Sequence, residues 1–417
     1  MNRYIINNQS QAEIGIKIFL FLFEICWKIK FHIVGEISLS EIILFVWAPF
    51  NLKQYLFADN DMAKLLKLYA ALFATQIVSE VFVSNGLSSS LKGLSITIVS
   101  FLHTVFLFKY LSWDKSLILV LLFGRIAGRV IFGQDLDSDV DLISAMNGDN
   151  AVILKFYYAS IIRDSMLAFS LFYSRRATCF LFVFIGFAMI VAGARCSGFL
   201  IAVVGIVVYA INNIKMTKFG VITASLSLCI LGYALYAFYV SMVLSGELFA
   251  GNNSQLLDCD NPYNPLELLA RGRSEFFVGL VAFSDEPLFG HGAWAEDYSL
   301  VYVNMIAELH AQDALHLLRD NFWIPVHSVL VGHGVWNGIF AFLVSMILFI
   351  FFVKRGFKSL AKIELKYQFV LVSSVFGTIW NYLFSAPSGF RLSLPFSFAI
   401  IMALWLDKRR DVLIQKM

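Results

Sequence analysis

Residues 329–353 read VLVGHGVWNGIFAFLVSMILFIFFV, 25 residues with no Asp, Glu, Lys or Arg among them. A stretch of that length and composition matches the hydrocarbon thickness of a bilayer, which takes about 20 apolar residues in helical form. The rest of the chain agrees: 59% of its 417 residues are hydrophobic and 15% are charged, against roughly 25% charged in soluble domains. Applied along the sequence, the same criterion predicts helices near 14–34, 37–52, 64–83, 91–112, 115–133, 150–173, 177–194, 196–214, 219–245, 329–353, 366–385 and 391–406. The expected fold is all-α: a polytopic integral membrane bundle of about 11–12 transmembrane helices with one large outer loop. Its parts are helices one to nine over 1–246, the loop over 247–328, and helices ten to twelve with a tail over 329–417.

Basic residues set the orientation, because they collect in short cytoplasmic loops. Lys354, Arg355, Lys358, Lys362 and Lys366 lie between helices ten and eleven, Arg175 and Arg176 after helix six, and Lys215 and Lys218 after helix eight. Lys408, Arg409 and Arg410 close the chain. With alternating helices all share one side, so that side is expected to be cytoplasmic and to hold both termini. The opposite connections are acidic: 134–149 carries Asp135, Asp137, Asp139, Asp141 and Asp149 and no base. The segment 247–328 has 12 acidic residues against Arg271, Arg273 and Arg319, and no Lys. A loop of this length is expected to work rather than merely connect.

The first apolar run is broken by Glu24, Lys28 and Lys30 and has no small-residue cleavage site after it, so it reads as an uncleaved first helix. Cys26, Cys179, Cys196, Cys229 and Cys259 show no CxxC spacing; Cys196 and Cys259 could face an oxidising compartment together. Neither an internal repeat nor a nucleic-acid-binding pattern is evident. His291, His310, His316 and His333 lack metal-ligand spacing, so neither a metal nor another cofactor is expected.

Within the loop, Asn264-Pro265-Leu266-Glu267 has the chemistry of a helix start, with Asn as cap, Pro at the first position and Glu three after the cap, as in a capping box. The pattern predicts an amphipathic helix near 265–284, with Leu266, Leu269, Ala270, Phe276, Phe277, Leu280 and Val281 on one face. Arg271 falls on the opposite face between Glu267 and Glu275, the spacing of a solvated ion pair. Arg273 projects from the apolar stripe, where a guanidinium needs an anion or an acidic partner. His327, just before helix ten, stands at the outer membrane–water boundary, either as a proton-exchanging imidazole or as a hydrogen-bonded structural residue. Further Arg lie in or beside spans: Arg125 and Arg129 on one face of helix five, Arg163 next to Asp164 in helix six, Arg195 between helices seven and eight, and Arg391 at the start of helix twelve. Buried charges usually pair or face a cavity. Arg125 and Arg129 could be interfacial anchors and Arg163–Asp164 a structural pair, but several Arg at one face also suit a phosphate or pyrophosphate.

Gly272-Arg273, Phe277 four residues after the Arg, Pro287-Leu288-Phe289-Gly290-His291-Gly292, and His327-Ser328 opening a helix together resemble the Wzy/WaaL superfamily of bacterial O-antigen polymerases and ligases. Arg195-Cys196-Ser197-Gly198 is similar to that family's Ser-Arg-x-Gly stretch. The sequence departs from the pattern at Phe277, where Trp is common, at Ser328, where Asn is common, and at Ala194, which replaces Ser. The resemblance implies a multi-pass protein of the bacterial inner membrane and a glycosyltransferase facing the periplasm. Its donor and acceptor are undecaprenyl-pyrophosphate-linked oligosaccharides, and a chain-length regulator protein is a further implied partner. By the resemblance, Arg273 and Arg195 hold the pyrophosphate and His327 orients or deprotonates the acceptor hydroxyl. Arg271, Arg125, Arg129, Arg163, Arg391 and His291 are the further candidates for substrate binding. The first expectation is a polymerase; the alternatives are a ligase acting on lipid A–core and, from another class, a lipid-linked glycan flippase. Two related halves are common in such transporters and are not visible here.

Overall fold

The computed structural model describes residues 2–32, 35–56, 60–133, 153–192, 194–213, 230, 233, 234, 236–246, 256, 259–310, 323–360 and 363–414. The acidic 134–149 connection, Lys215, Lys218, Cys229, His316, Arg319 and most of expected helix nine lie outside them. Helices dominate, in the order α1 (Asn2–Cys26), α2 (Leu39–Leu56), α3 (Asn60–Phe82), α4 (Leu87–Trp113) and α5 (Leu117–Phe132). A π turn, Leu154–Tyr158, runs into α6 (Ala159–Phe172), followed by α7 (Arg176–Val191) and α8 (Arg195–Asn213). Residues 236–244 are helical. The loop contributes α9 (Pro265–Gly272), α10 (Ser274–Asp285) and α11 (Val301–His310); the chain closes with α12 (Val329–Leu360), α13 (Leu365–Phe384), α14 (Gly389–Leu392) and α15 (Leu394–Ile414). Among the described residues, five helices are long and apolar enough to cross a membrane: Asn60–Phe82, Leu87–Trp113, Arg195–Asn213, Val329–Leu360 and Gly389–Leu406. The chain is therefore an all-α protein of the membrane class. Other expected spans fall short of that standard: α5 and α7 have 16 residues each, and α13 carries Lys366, Gln368 and Asn381.

A central group of α3, α4, α12, α13 and α15 packs around Phe352, Phe369, Phe390 and Phe398, each fully buried. On its flank α5 packs between α1 and α6, and α7 pairs with α8. Small residues bring α7 and α8 backbone to backbone: a Cβ on Gly198 would lie 2.5 Å from the Gly186 carbonyl oxygen. One end of the bundle collects Asp61, which accepts from Arg355 Nη2 at 2.6 Å and Trp405 Nε1 at 2.7 Å. The opposite end holds the α3–α4 turn, the described loop residues and the α13–α15 corner.

Three expectations are corrected. The first helix stops at Cys26 rather than 34, because Lys30–His32 and Glu36–Ser38 pair as an antiparallel hairpin. Gly35 supplies the positive φ of 79° near its turn, and Lys30 Nζ meets Glu36 Oε2 at 2.8 Å. The amphipathic helix is two helices, broken at Arg273 (φ −142°, ψ 38°), which ends α9 and starts α10. Gly272 favours the break, and Ser274 is fully buried just beyond it.

Residues 329–353 are likewise not one helix: α12 reaches Leu360 and is interrupted at Gly338 (φ 76°, ψ −170°). The Pro287–Gly292 turn docks on this break. Ile339 donates to the Pro287 carbonyl at 2.7 Å, while His291 and Gly292 donate to the Val335 and Trp336 carbonyls at 2.7 and 3.0 Å. The loop thus satisfies backbone groups that the break would leave orphaned in an apolar setting. A Cβ at Gly338 would also strike the Leu288 carbonyl. Gly338→Ala is expected to cost more than about 2 kcal/mol, since the left-handed backbone alone costs roughly 1–2 kcal/mol for a residue with a Cβ. The thermal midpoint of the detergent-solubilised protein should fall clearly. Gly377→Ala, in helical backbone with nothing within 4 Å of the new Cβ, should not lower it.

Candidate functional site

The loop helices seat Arg273 against the bundle. Asn264 caps α9 by accepting from Leu266 N at 3.1 Å, with Pro265 at the first position, as the sequence indicates. Glu267 does not close a capping box; it accepts from the backbone of Asp260 at 2.6 Å and Asn261 at 3.1 Å. Arg271 meets Glu267 at 3.8 Å, the ion pair that its i,i+4 spacing indicates. At the α9–α10 break the Arg273 guanidinium turns onto α13. Its Cζ lies 5.1 Å from the Trp380 ring centroid and 5.8 Å from that of Phe384. Both rings share one face of α13 through their i,i+4 spacing. Nη2 of Arg273 lies 3.6 Å from Cys196 Sγ.

Cys196 follows Arg195, the first residue of α8, so Arg273 reaches the tip of α8 that also carries Arg195. Arg195 lies over the Tyr239 ring at 5.2 Å. Cys196 is exposed and Cys259 buried, and both are free thiols rather than a disulfide. The third nominee approaches from the other side. Ser328 Oγ donates to the Tyr382 carbonyl at 3.0 Å and accepts from Val331 N at 3.2 Å, capping α12 in the position where the Wzy/WaaL pattern has Asn. Half-buried His327 precedes it. The Trp380–Phe384 face of α13 is the floor for Arg273, while the Ser328 cap reaches the same turn at Tyr382, on the helix's other face. Phe276 rests on the same Phe384 ring at 5.7 Å, with Phe277 edge-on to Phe276 at 5.5 Å.

His291 sits away from this floor. Its Nε2 lies 2.7 Å from the Ala282 carbonyl, and its ring packs edge-on to Tyr302 at 5.9 Å. Burial, then the hydrogen bond to the Asp285 carboxylate at 2.8 Å, push the Tyr302 phenol above its ordinary pKa, so it remains a donor. The buried Asp297 carboxylate caps α11, accepting from Val301, Tyr302 and Val303 N at 2.8–3.1 Å. Glu80 of α3 accepts from Ala293 N at 2.8 Å, tying the loop to the α3–α4 turn.

Arg125, Arg129 and Arg163 form a second cationic centre around one carboxylate, Asp164, whose side chain is 2% exposed. Arg129 Nη1 meets Oδ2 at 2.5 Å, Arg125 Nε meets Oδ2 at 3.3 Å, and Arg163 Nε meets Oδ1 at 3.0 Å. Arg125 also lies over Phe396 at 4.3 Å. Arg163–Asp164 is thus a pair within a larger network, not an isolated one. Asp164→Asn would leave three largely buried guanidiniums without their shared counter-ion, and a cost of about 3–5 kcal/mol is expected. A reduced protein level and a lowered melting midpoint would report it, and Asp164→Glu should restore part of both. Arg391 belongs to neither centre: its Nη1 is 3.4 Å from Glu41 Oε1, and Nη2 donates to the Glu36 carbonyl at 3.2 Å. Glu41 and Ser38 cap α2 reciprocally, at 2.6 and 3.2 Å.

Reading the sequence alone missed Trp380, Phe384, Tyr239 and Phe396, the ring partners of the arginines, and Asp164 as the shared anion. The Trp380-x3-Phe384 spacing at the outer end of an apolar run was the available signal. A scan against protein-family models gave no match for this chain, and neither did a sequence search of curated proteins.

Proposed function

We propose that the chain is a lipid-linked glycan polymerase of the Wzy/WaaL type, working at the periplasmic face of a bacterial inner membrane. In this reading both termini are cytoplasmic, about 11–12 helices span the bilayer and 247–328 is the periplasmic loop. The supporting observation is the meeting of Arg273 with the Arg195–Cys196 tip over the same turn of α13 that anchors the His327–Ser328 junction. Two guanidiniums on aromatic plates offer forked donors to a pyrophosphate. In the reaction an acceptor sugar hydroxyl forms the new bond to the anomeric carbon of the donor glycan. The bond from that carbon to the pyrophosphate oxygen breaks, and undecaprenyl pyrophosphate leaves with the electron pair. Arg273 and Arg195 stabilise the charge that grows on the leaving group. His327 holds the hydroxyl and takes its proton. The donor already carries its leaving group, so no metal or nucleotide is assigned a part.

The test is the lipopolysaccharide profile of a deletion strain. Loss of a polymerase leaves core capped by one repeat unit, and restoring the wild-type gene restores a ladder. Bare core in the deletion strain would show a ligase or a flippase instead, and an unchanged ladder would rule out all three.

A further inference from the structure

We infer that Trp294, Trp323, Tyr298 and Glu296 form a carbohydrate-stacking subsite, which holds a pyranose of the acceptor glycan; the glycan as ligand rests on the polymerase reading. The loop stacks tryptophans outward from α12. Trp336 is buried in α12 just before the Gly338 break. The Trp294 ring tilts over it at 5.3 Å, and Trp323, 40% exposed, stands edge-on to Trp294 at 4.9 Å. Glu296 and Trp323 pair as an antiparallel bridge, so the exposed carboxylate and the exposed ring share one face. Tyr298, 81% exposed, donates its hydroxyl to that carboxylate.

The segment that presents this face is strained at both ends. Trp294 (φ 55°) and Leu300 (φ 57°) adopt left-handed backbone although each carries a Cβ. The buried Trp294 indole N–H has no acceptor among the described residues. Strained backbone and an unpaired donor at one residue mark a position held for use rather than for stability. Between the two ends the shape is fixed: Ile324 N donates to the Ala295 carbonyl at 2.9 Å, and Asp297 caps α11.

A pyranose suits this constellation. Its C–H faces are apolar and its edges carry hydroxyls, so it fits a ring beneath and a charged acceptor at the side. A carboxylate accepts at about four lone-pair sites, and the Tyr298 hydroxyl takes one, which leaves others for sugar hydroxyls. An acyl chain would use the rings but leave the carboxylate desolvated and unpaired. The place fits the acceptor: Trp323 lies four residues before His327, and a chain of that length spans at most about 14 Å. A sugar gripped there keeps the end of the same glycan within reach of the imidazole.

The experiment measures binding of the sugar without its lipid. Wild-type protein in phosphatidylcholine nanodiscs is titrated by calorimetry, to millimolar, with oligosaccharide released by mild acid from the source strain's own surface polysaccharide. Wild type should bind it, and Trp323→Ala should weaken binding about tenfold or more. Trp323→Phe, which keeps a ring, should lie between the two, and Glu296→Gln should also bind more weakly than wild type. Trp113→Ala removes another exposed Trp, 56% exposed at the far end of α4, and should bind like wild type. Melting curves in the same nanodiscs confirm that each variant is folded. No binding by folded wild type, or unchanged affinity in folded Trp323→Ala, overturns the subsite. An equal loss in Trp113→Ala would overturn it too, because the sugar would then have no defined seat. If Trp323→Ala loses the sugar while Arg273→Ala still makes a normal ladder in cells, the subsite stands and the polymerase centre fails. If Arg273→Ala loses the ladder while Trp323→Ala binds the sugar as wild type does, the polymerase centre stands and the subsite fails.

Discussion

Arg273→Ala should slow chain extension by about 10²–10³-fold, the loss typical when one preorganised donor to a developing anion is removed. The guanidinium stands at a helix break, held by two rings and a thiol rather than by a carboxylate. Its positive charge is therefore not cancelled at short range by a described neighbour, and it is available to the leaving group. Cation–ring contacts fix its position without neutralising it. Arg273→Lys should recover only part of the rate, because an ammonium keeps the charge but loses the fork that matches two phosphate oxygens. The measurement is the initial rate of polymer formation by purified variants at saturating lipid-linked repeat unit. Melting midpoints within experimental error of wild type establish that the losses are chemical.

His327→Ala should lower the same rate by about 10²–10⁴-fold, the range for removing a positioned general base. The backbone beside it is held by Ser328, which caps α12 and binds the Tyr382 carbonyl. A melting midpoint for each variant separates a loss of chemistry from a loss of folding. His327→Gln separates the two roles. It can hold a hydroxyl but cannot take its proton, so a base predicts a rate as low as that of Ala, while an orienting residue predicts substantial recovery. A base also predicts that the wild-type rate falls in acid, as the imidazole becomes protonated, and that the Gln variant loses this dependence.

The all-α membrane class was legible in the sequence because bilayer thickness imposes a length and composition that a chain cannot disguise. The helix start at Asn264-Pro265 and the Arg271–Glu267 pair were equally readable, since both depend on residues within one turn of each other. What escaped depends on distant partners. Nothing local distinguishes Gly338 from a tolerated helical glycine; the break exists because Pro287 and His291 supply its hydrogen bonds from about 50 residues away. The hairpin at 30–38 was hidden because the apolar pattern resumes after Glu24, Lys28 and Lys30 and so reads as one helix, and the break at Arg273 by an amphipathic pattern that continues past it. At the site, the approach of Arg273 to Cys196 at the tip of α8 could be expected only through resemblance, because Arg273 is seated by α13, whose Trp380 and Phe384 read as ordinary lipid-facing aromatics. The Asp164 network follows the same rule. Arg163 and Asp164 are adjacent in sequence, but Arg125 and Arg129 reach that carboxylate only once α5 packs on α6.

The most direct measurement is reconstitution with a defined substrate. Purified wild-type protein and Arg273→Ala, in matched nanodiscs, are given a synthetic repeat unit on undecaprenyl pyrophosphate and no other protein. Product length is read on a gel, and released undecaprenyl pyrophosphate is measured by mass spectrometry. A ladder from the wild type with one released lipid per bond formed, together with near-absence of both from Arg273→Ala, is the predicted result. No ladder from folded wild type, or an equal ladder from the variant, would contradict the assignment of this centre to glycan polymerisation.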